Sequence, residues 1–258
     1  MSLARALAEG LDPVQLAARL GFELEFWQQK LVRSTALRVL LVAARQVGKS
    51  TVVRVKVLHR AIYRPGSLVL IVSASQRQAD EFLLELRTFT RALGGHLVEG
   101  ENATELRLAN GSRIVSLPAT PNTTRGFANV ALLVVDEGAY VPDQVFAAMV
   151  PTLGGGGQLV ALSTPAGPLG WLYEIWHKAD GWEKHRVRAS ESGRYTPERL
   201  AELRALVGEW AFKTDYEAEF TDAEGQVFRS GDIAAMFGHD FPAWEPTEEA
   251  EWRRTLPA

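Results

Sequence analysis

Two kinds of apolar pattern alternate along the first 180 residues, and their alternation predicts the architecture. Val39 to Ala43, Ser67 to Ser73, Val130 to Val135 and Gln158 to Ser163 are short, nearly continuous apolar runs. Such runs suit strands covered on both faces rather than strands with one wet face. Between them apolar residues recur at helical spacing. Val53, Val57, Leu58, Ala61 and Ile62 mark one helix, ending at Pro65-Gly66. Ala79, Phe82, Leu83, Leu86 and Leu93 mark a second, from about Gln76 to a terminating Gly94. Strands alternating with helices predict parallel pairing through right-handed crossovers, and so an α/β three-layer core with a mainly parallel sheet.

The flanking segments read differently. Residues 3–20 show helical spacing broken at Asp12-Pro13, which predicts two short helices, and a third periodic stretch holds Phe26, Trp27 and Leu31. Thr104 to Leu108 and Arg113 to Leu117 flank Asn110-Gly111, a hairpin signal because both central positions of the tightest hairpin turns favour positive φ. Beyond Gly181 the strand pattern stops. Thr196-Pro197-Glu198 is a helix start, Gly208 ends that helix, and Glu209 to Phe220 reads as another. The expected organisation is an N-terminal helical segment over 1–35, the α/β core over 36–180, a small helical subdomain over 181–230 and an acidic tail over 231–258.

Composition narrows the chemistry. With 258 residues, 47% hydrophobic and 23% charged, the chain has the make-up of a soluble globular protein. No cysteine is present, which excludes disulfides, a thiolate nucleophile and cysteine-held metals. No apolar run approaches the roughly 18 to 20 residues of a membrane span, and the first twenty residues lack a secretory leader. A reducing cytoplasm and no membrane partner are expected. The net charge of −3 excludes an overall basic nucleic-acid binder but averages a gradient: residues 1–70 hold 11 Lys/Arg against 4 Asp/Glu, whereas 215–258 hold 3 against 11. A basic end can face a polyanion or simply be solvated.

The strongest local signal is Ala44-Arg45-Gln46-Val47-Gly48-Lys49-Ser50-Thr51, placed between a buried strand and a helix. Phosphate binding needs this context: helix-start amides point at the phosphates, the helix dipole favours negative charge, Lys49 reaches the β/γ oxygens, and Ser50 offers a hydroxyl to Mg²⁺. The first glycine of the usual phosphate loop is replaced by Ala43. Leu132 to Val135 leads into Asp136-Glu137, which puts one carboxylate where it can hold Mg²⁺ or its water and a second where it can deprotonate an attacking water. Paired acids at such a strand end predict a nucleotide hydrolase, with ATP and Mg²⁺ as the ligands. Arg45 inside the loop could act in cis on the transferred phosphoryl group, and Arg125, before Gly126 in a polar stretch, could be offered to a neighbouring subunit. Ser163 and Thr164 end the fourth strand on the phosphate side and could couple hydrolysis to movement, or simply cap the next turn. Trp27-Gln28-Gln29 could serve the base, Gln28 reading the adenine edge.

Taken together, Trp27-Gln28, Arg45 to Ser50, Arg125-Gly126, Asp136-Glu137, Ser163-Thr164-Pro165 and Glu217-Ala218-Glu219-Phe220 resemble, in order and spacing, the ATPase portion of the large terminase subunit of tailed phages. The resemblance runs from about residue 25 to 228. It implies a P-loop NTPase core of the RecA/ASCE-like kind with a helical lid. It further implies a ring of subunits on a procapsid portal that translocates double-stranded DNA at the expense of ATP, with Arg125 acting in trans. In that family the first glycine is commonly missing and the loop carries an arginine, as here. A small terminase subunit is a further partner the family allows, and host cytoplasm is the implied location.

Family members usually continue into an RNase H-like nuclease, and no apolar strand followed by a metal-binding aspartate appears in this sequence: Asp222, Glu224, Asp232 and Asp240 stand among polar, Gly- and Pro-containing residues. The expectation is a motor domain without its own nuclease, largely monomeric and weakly active when isolated. Two other readings share the phosphate loop: a helicase-like nucleic-acid-dependent ATPase, which normally needs a second such core, and a nucleotide-gated assembly module with little hydrolysis.

Overall fold

The computed structural model describes residues 3–121, 126–222 and 236. Residues Met1–Thr221 group into one compact unit and Asp222–Ala258 into another. The first unit opens with α1 (Leu3–Leu11), α2 (Pro13–Arg19) and α3 (Phe26–Arg33). Asp12 caps α2, its side chain accepting from Val14 N at 3.0 Å, and Pro13 sits at the first turn, so the Asp12-Pro13 break is a cap rather than a gap.

The core follows as β1 (Arg38–Ala43), α4 (Lys49–Tyr63), β2 (Leu68–Ser73), α5 (Gln76–Leu93), β3 (Val98–Glu101), β4 (Glu105–Leu108), β5 (Arg113–Pro118), β6 (Val130–Asp136), α6 (Asp143–Met149), β7 (Leu153–Ser163), α7 (Gly170–Lys178), β8 (Glu183–Val187) and α8 (Pro197–Asp215). All eight strands form one sheet in the order β3-β4-β5-β2-β6-β7-β1-β8. Pairing is parallel from β5 through β8 and antiparallel only at the β3-β4-β5 edge. The apolar runs explain the layering. Val39, Leu41, Ile71, Val134 and Val160 pack under α4 and α5, whereas Leu40, Val42, Leu70, Val135 and Ala161 pack under α6 and α7. Because β7 is inserted between β1 and β6, the loop after β1 and the acids ending β6 are separated by one strand, roughly 10 Å at ordinary strand spacing.

Three local departures from the sequence pattern have physical causes. The segment 181–230, expected to be helical, begins with β8: its backbone pairs with Val39 to Ala43 at a sheet edge, where Glu183, Lys184 and Arg186 are tolerated. The hairpin turn is longer than a two-residue loop, since only Gly111 has positive φ; Asn110 instead turns its side-chain amide to the carbonyls of Ala61 and Ile62, each at 2.9 Å, and so caps the end of α4. Gly208, at φ 81° and ψ 164°, breaks the helical backbone inside α8, so two helices meet there at a kink, where the sequence places the end of one and the start of the next. The helix expected to reach Phe220 stops at Asp215, because Tyr216 O accepts from Ala189 N and Ala218 turns left-handed at φ 53°, drawing the chain back to the β8 edge.

Candidate nucleotide site

The phosphate loop is shaped by two left-handed residues, Gln46 at φ 58° and Gly48 at φ 91°. A β-carbon at Gly48 would stand 2.7 Å from Gln28 Nε2 and 3.2 Å from Arg194 Nη2, so glycine is required both for its φ and for its surroundings. The loop is braced on three sides. Ala44 N donates to Val187 O at 2.8 Å, Arg45 N to Asp215 O at 2.8 Å, and the Tyr195 hydroxyl to Arg45 O at 3.0 Å. Val47 is fully buried in the core, anchoring the loop centre.

The N-terminus of α4 then presents Lys49, Ser50 and Thr51 to a cavity of about 970 Å³, lined also by Arg45, Gln46, Gly48, Arg54 and Glu137. Lys49 Nζ donates to Thr164 Oγ1 at 2.8 Å and lies 3.3 Å from Glu137 Oε1. Ser163 Oγ accepts from Ala139 N at 3.1 Å, donates to Thr164 O at 2.7 Å, and stands 3.5 Å from Glu137 Oε2. Four sequence-expected residues, Lys49, Glu137, Ser163 and Thr164, are therefore in one network. Glu137 itself sits at φ 51°, a conformation costing a non-glycine residue about 1–2 kcal/mol and held here because Gly138 packs directly beneath Trp171 and Leu172.

Asp136 is buried at the end of β6, where its Oδ1 accepts from Glu137 N at 3.1 Å. Burial and then the adjacent Glu137 carboxylate push it up to about 6, against the pull of Arg54 and Lys49. Aligned with it on the neighbouring strand β2 is Ser73, fully buried, whose hydroxyl has no hydrogen-bond partner among the described residues. A buried carboxylate beside an unsatisfied hydroxyl is a setting that a hydrated cation would complete, and Ser50 adds a hard oxygen at the cavity edge. Among the described residues no group of three or more His, Cys, Asp or Glu could hold a metal by itself. The donor set thus fits Mg²⁺ carried in with phosphate oxygens and water rather than a closed protein cage.

Two expected roles meet a different environment. Arg45 lines the cavity, but its Nε is paired with Asp215 Oδ1 at 2.8 Å. Gln28 is buried: its Oε1 accepts from Glu25 N at 2.9 Å, closing the start of α3, and its Nε2 approaches Val47 O at 3.4 Å, so both ends of the amide face protein. Arg125 lies outside the described residues, as does the acidic tail 231–258 apart from Met236. Sequence reasoning missed Arg54, Glu81, Glu85, Arg194, Tyr195 and Arg199, all of which line the cavity. Arg54 carried a usable signal, since it follows Ser50 by one helical turn and must share its face. It is buried over the Phe82 ring and paired with Glu85 Oε2 at 2.7 Å.

A protein-family description, "Terminase large subunit, T4likevirus-type, N-terminal", matches residues 40–235. The chain belongs to the terminase large subunit family. The terminase large subunits of Thermus virus P23-45 and Thermus phage G20c are each 27% identical over 263 residues, covering 86% of this chain. The chain spans 53% of the length of each of these relatives. Among solved structures, the large terminase ATPase domain of Thermus phage P74-26 superposes with a TM-score of 0.68 at 24% identity, covering 80% of this chain and 97% of that domain. The large terminase of a second thermophilic bacteriophage, in complex with ADP, gives 0.65 at 12% identity, covering 77% of this chain and 54% of the other. These likenesses establish the terminase ATPase fold. The P-loop core expected from the sequence is the core observed. No helix among the described residues is long and apolar enough to cross a membrane.

Proposed function

We propose that this chain is the ATP-hydrolysing motor domain of a machine that packages double-stranded DNA into a viral procapsid. The observation that carries the reading is the convergence of Lys49, from the start of α4, with Glu137, from the end of β6, at 3.3 Å on the wall of a polar cavity. Membership of the terminase large subunit family supports the biological setting.

In this reading Lys49, Ser50, Thr51 and the amides of residues 46–50 hold the phosphates. Ser50 and Asp136 would hold Mg²⁺, which, when bound, neutralises charge on the phosphate oxygens. Glu137 takes a proton from the water that attacks the γ-phosphorus, and ADP departs with the electrons of the broken P–O bond. Arg125, supplied by a neighbouring subunit, and Arg45, if released from Asp215, add positive charge as negative charge spreads over the γ-oxygens. Thr164 shares a hydrogen bond with Lys49, so a change in phosphate contact reaches the end of β7 in one step. The assembled machine is a homo-oligomeric ring on a portal protein in the host cytoplasm, with double-stranded DNA as its cargo and a small terminase subunit as a further partner.

ATP turnover with Mg²⁺, measured on the chain and on its Lys49→Ala variant with and without double-stranded DNA, tests the reading. Hydrolysis that depends on Lys49 and rises with DNA is the expected result. Hydrolysis indifferent to Lys49 removes the site assignment, and nucleotide binding without turnover under ring-forming conditions favours an assembly module.

A further inference from the structure

The loop between β8 and α8 brings a charged residue over the phosphate loop that no sequence motif marks. Arg194 has its guanidinium beside the α-carbon of Gly48, with Nη2 3.2 Å from where a β-carbon would stand, and it lines the same cavity as Lys49, Ser50 and Thr51. Arg199, its neighbour on that wall, is paired with Glu202 at 2.7 Å, and Arg45 with Asp215 at 2.8 Å. Arg194 has no carboxylate partner among the described residues. An unpaired guanidinium at the mouth of a phosphate-binding helix start adds donors in a planar fork where an anion is expected.

Its position is built. Glu25, at the start of α3, accepts at Oε1 from Ser192 Oγ at 3.0 Å and from Gly193 N at 3.2 Å, and at Oε2 from Trp27 Nε1 at 2.6 Å. Tyr195, the next residue, donates to Arg45 O at 3.0 Å. The residues on both sides of Arg194 are thus tied down, one to α3 and one to the phosphate loop, while its own side chain is left facing the cavity.

Resting on the nucleotide-site reading above, we propose that Arg194 is a phosphate-contacting residue acting in cis, and that Glu25 is the positioning residue that holds its loop over Gly48. Arg194 then contributes affinity that grows with the number of phosphates on the nucleotide. The same contact makes the loop entering α8 sensitive to occupancy of the site.

Calorimetric titration of the full chain with AMP, ADP and ATP in Mg²⁺ buffer tests this, using Arg194→Ala, Arg194→Lys, Glu25→Ala and Lys49→Ala. The expected result is that Arg194→Ala weakens ADP and ATP about tenfold, the loss of one charge-assisted contact, and AMP much less. Arg194→Lys should recover part of the loss. Glu25→Ala should reproduce part of it, with little added effect in the Arg194→Ala background. If Lys49→Ala abolishes ATP binding while Arg194→Ala binds ADP and ATP like the unaltered chain, the role of Arg194 is overturned and the site reading stands. Equal weakening of AMP, ADP and ATP also overturns it. If Lys49→Ala leaves ATP binding intact, the site reading itself falls, and the role of Arg194 with it.

Discussion

Lys49 Nζ lies 3.3 Å from Glu137 Oε1, so the ammonium expected to hold phosphate and the carboxylate expected to activate water neutralise one another directly. In the proposed reading, phosphate oxygens entering the cavity would compete with Glu137 for Lys49 and leave the carboxylate free to face the attacking water.

Glu137→Gln separates the two functions. The amide can still accept a hydrogen bond from Lys49 but cannot take a proton, so ATP binding should be kept while turnover falls about 10²- to 10⁴-fold, the usual contribution of a positioned general base. Equilibrium binding and steady-state hydrolysis on the same preparation check this. Undiminished hydrolysis would remove Glu137 from the role of base.

Gly48→Ala should damage the loop in two separable ways. The left-handed φ of 91° costs a residue with a β-carbon about 1–2 kcal/mol, and that carbon also meets Gln28 Nε2 at 2.7 Å. Denaturant unfolding should show Gly48→Ala as the less stable protein. Adding Gln28→Ala removes the collision but leaves the backbone strain, so the double variant should still bind ATP less well than Gln28→Ala alone. Unchanged stability and ATP affinity in Gly48→Ala would contradict this account of the loop.

Arg125 and Glu137 should complement one another across subunits if the arginine acts in trans. In a mixed assembly of Arg125→Ala and Glu137→Gln chains, sites with an intact Glu137 receive an arginine from a Glu137→Gln neighbour. Hydrolysis should therefore return on mixing two preparations that are each nearly inactive. Failure to recover activity under conditions where mixed rings are demonstrated sinks the trans role.

How much of this site could be read in advance depended on whether its information was local. The strands carrying it were legible because Val39 to Ala43 and Leu132 to Val135 are buried on both faces, leaving no polar position to interrupt them. Asp136 and Glu137 were legible because they sit where such a run stops, and Lys49 because it opens the helix that follows one. Arg194 was not, since its place over Gly48 depends on β8 joining the sheet beside β1, and β8 itself is disguised by Glu183, Lys184 and Arg186. Gln28 has surroundings that its sequence position did not show. Its type and location suited adenine recognition, yet burial commits its amide to Glu25 and Val47.

Lys56 supplies a test of pH dependence away from the phosphates. Its ammonium, buried on α4, donates to Ser34 O at 2.6 Å and Val32 O at 3.2 Å and so closes the C-terminal end of α3. Burial lowers it from an ordinary 10.5 to about 8, partly offset by Glu183. Below about 8 folded and unfolded chains both carry the proton, and the cost of burying the charge is fully present. Between about 8 and 10.5 the unfolded chain binds more protons than the folded one, so this residue makes stability rise with pH. The gain is at most about 3 kcal/mol. Other groups titrate in the same window, and Lys56→Met cancels them by comparison. The unfolding free energy of the unaltered chain minus that of Lys56→Met should increase from about pH 7.5 toward about pH 10. A difference that stays flat or falls means that Lys56 keeps its ordinary proton affinity and that the end of α3 is held by a fully solvated charge.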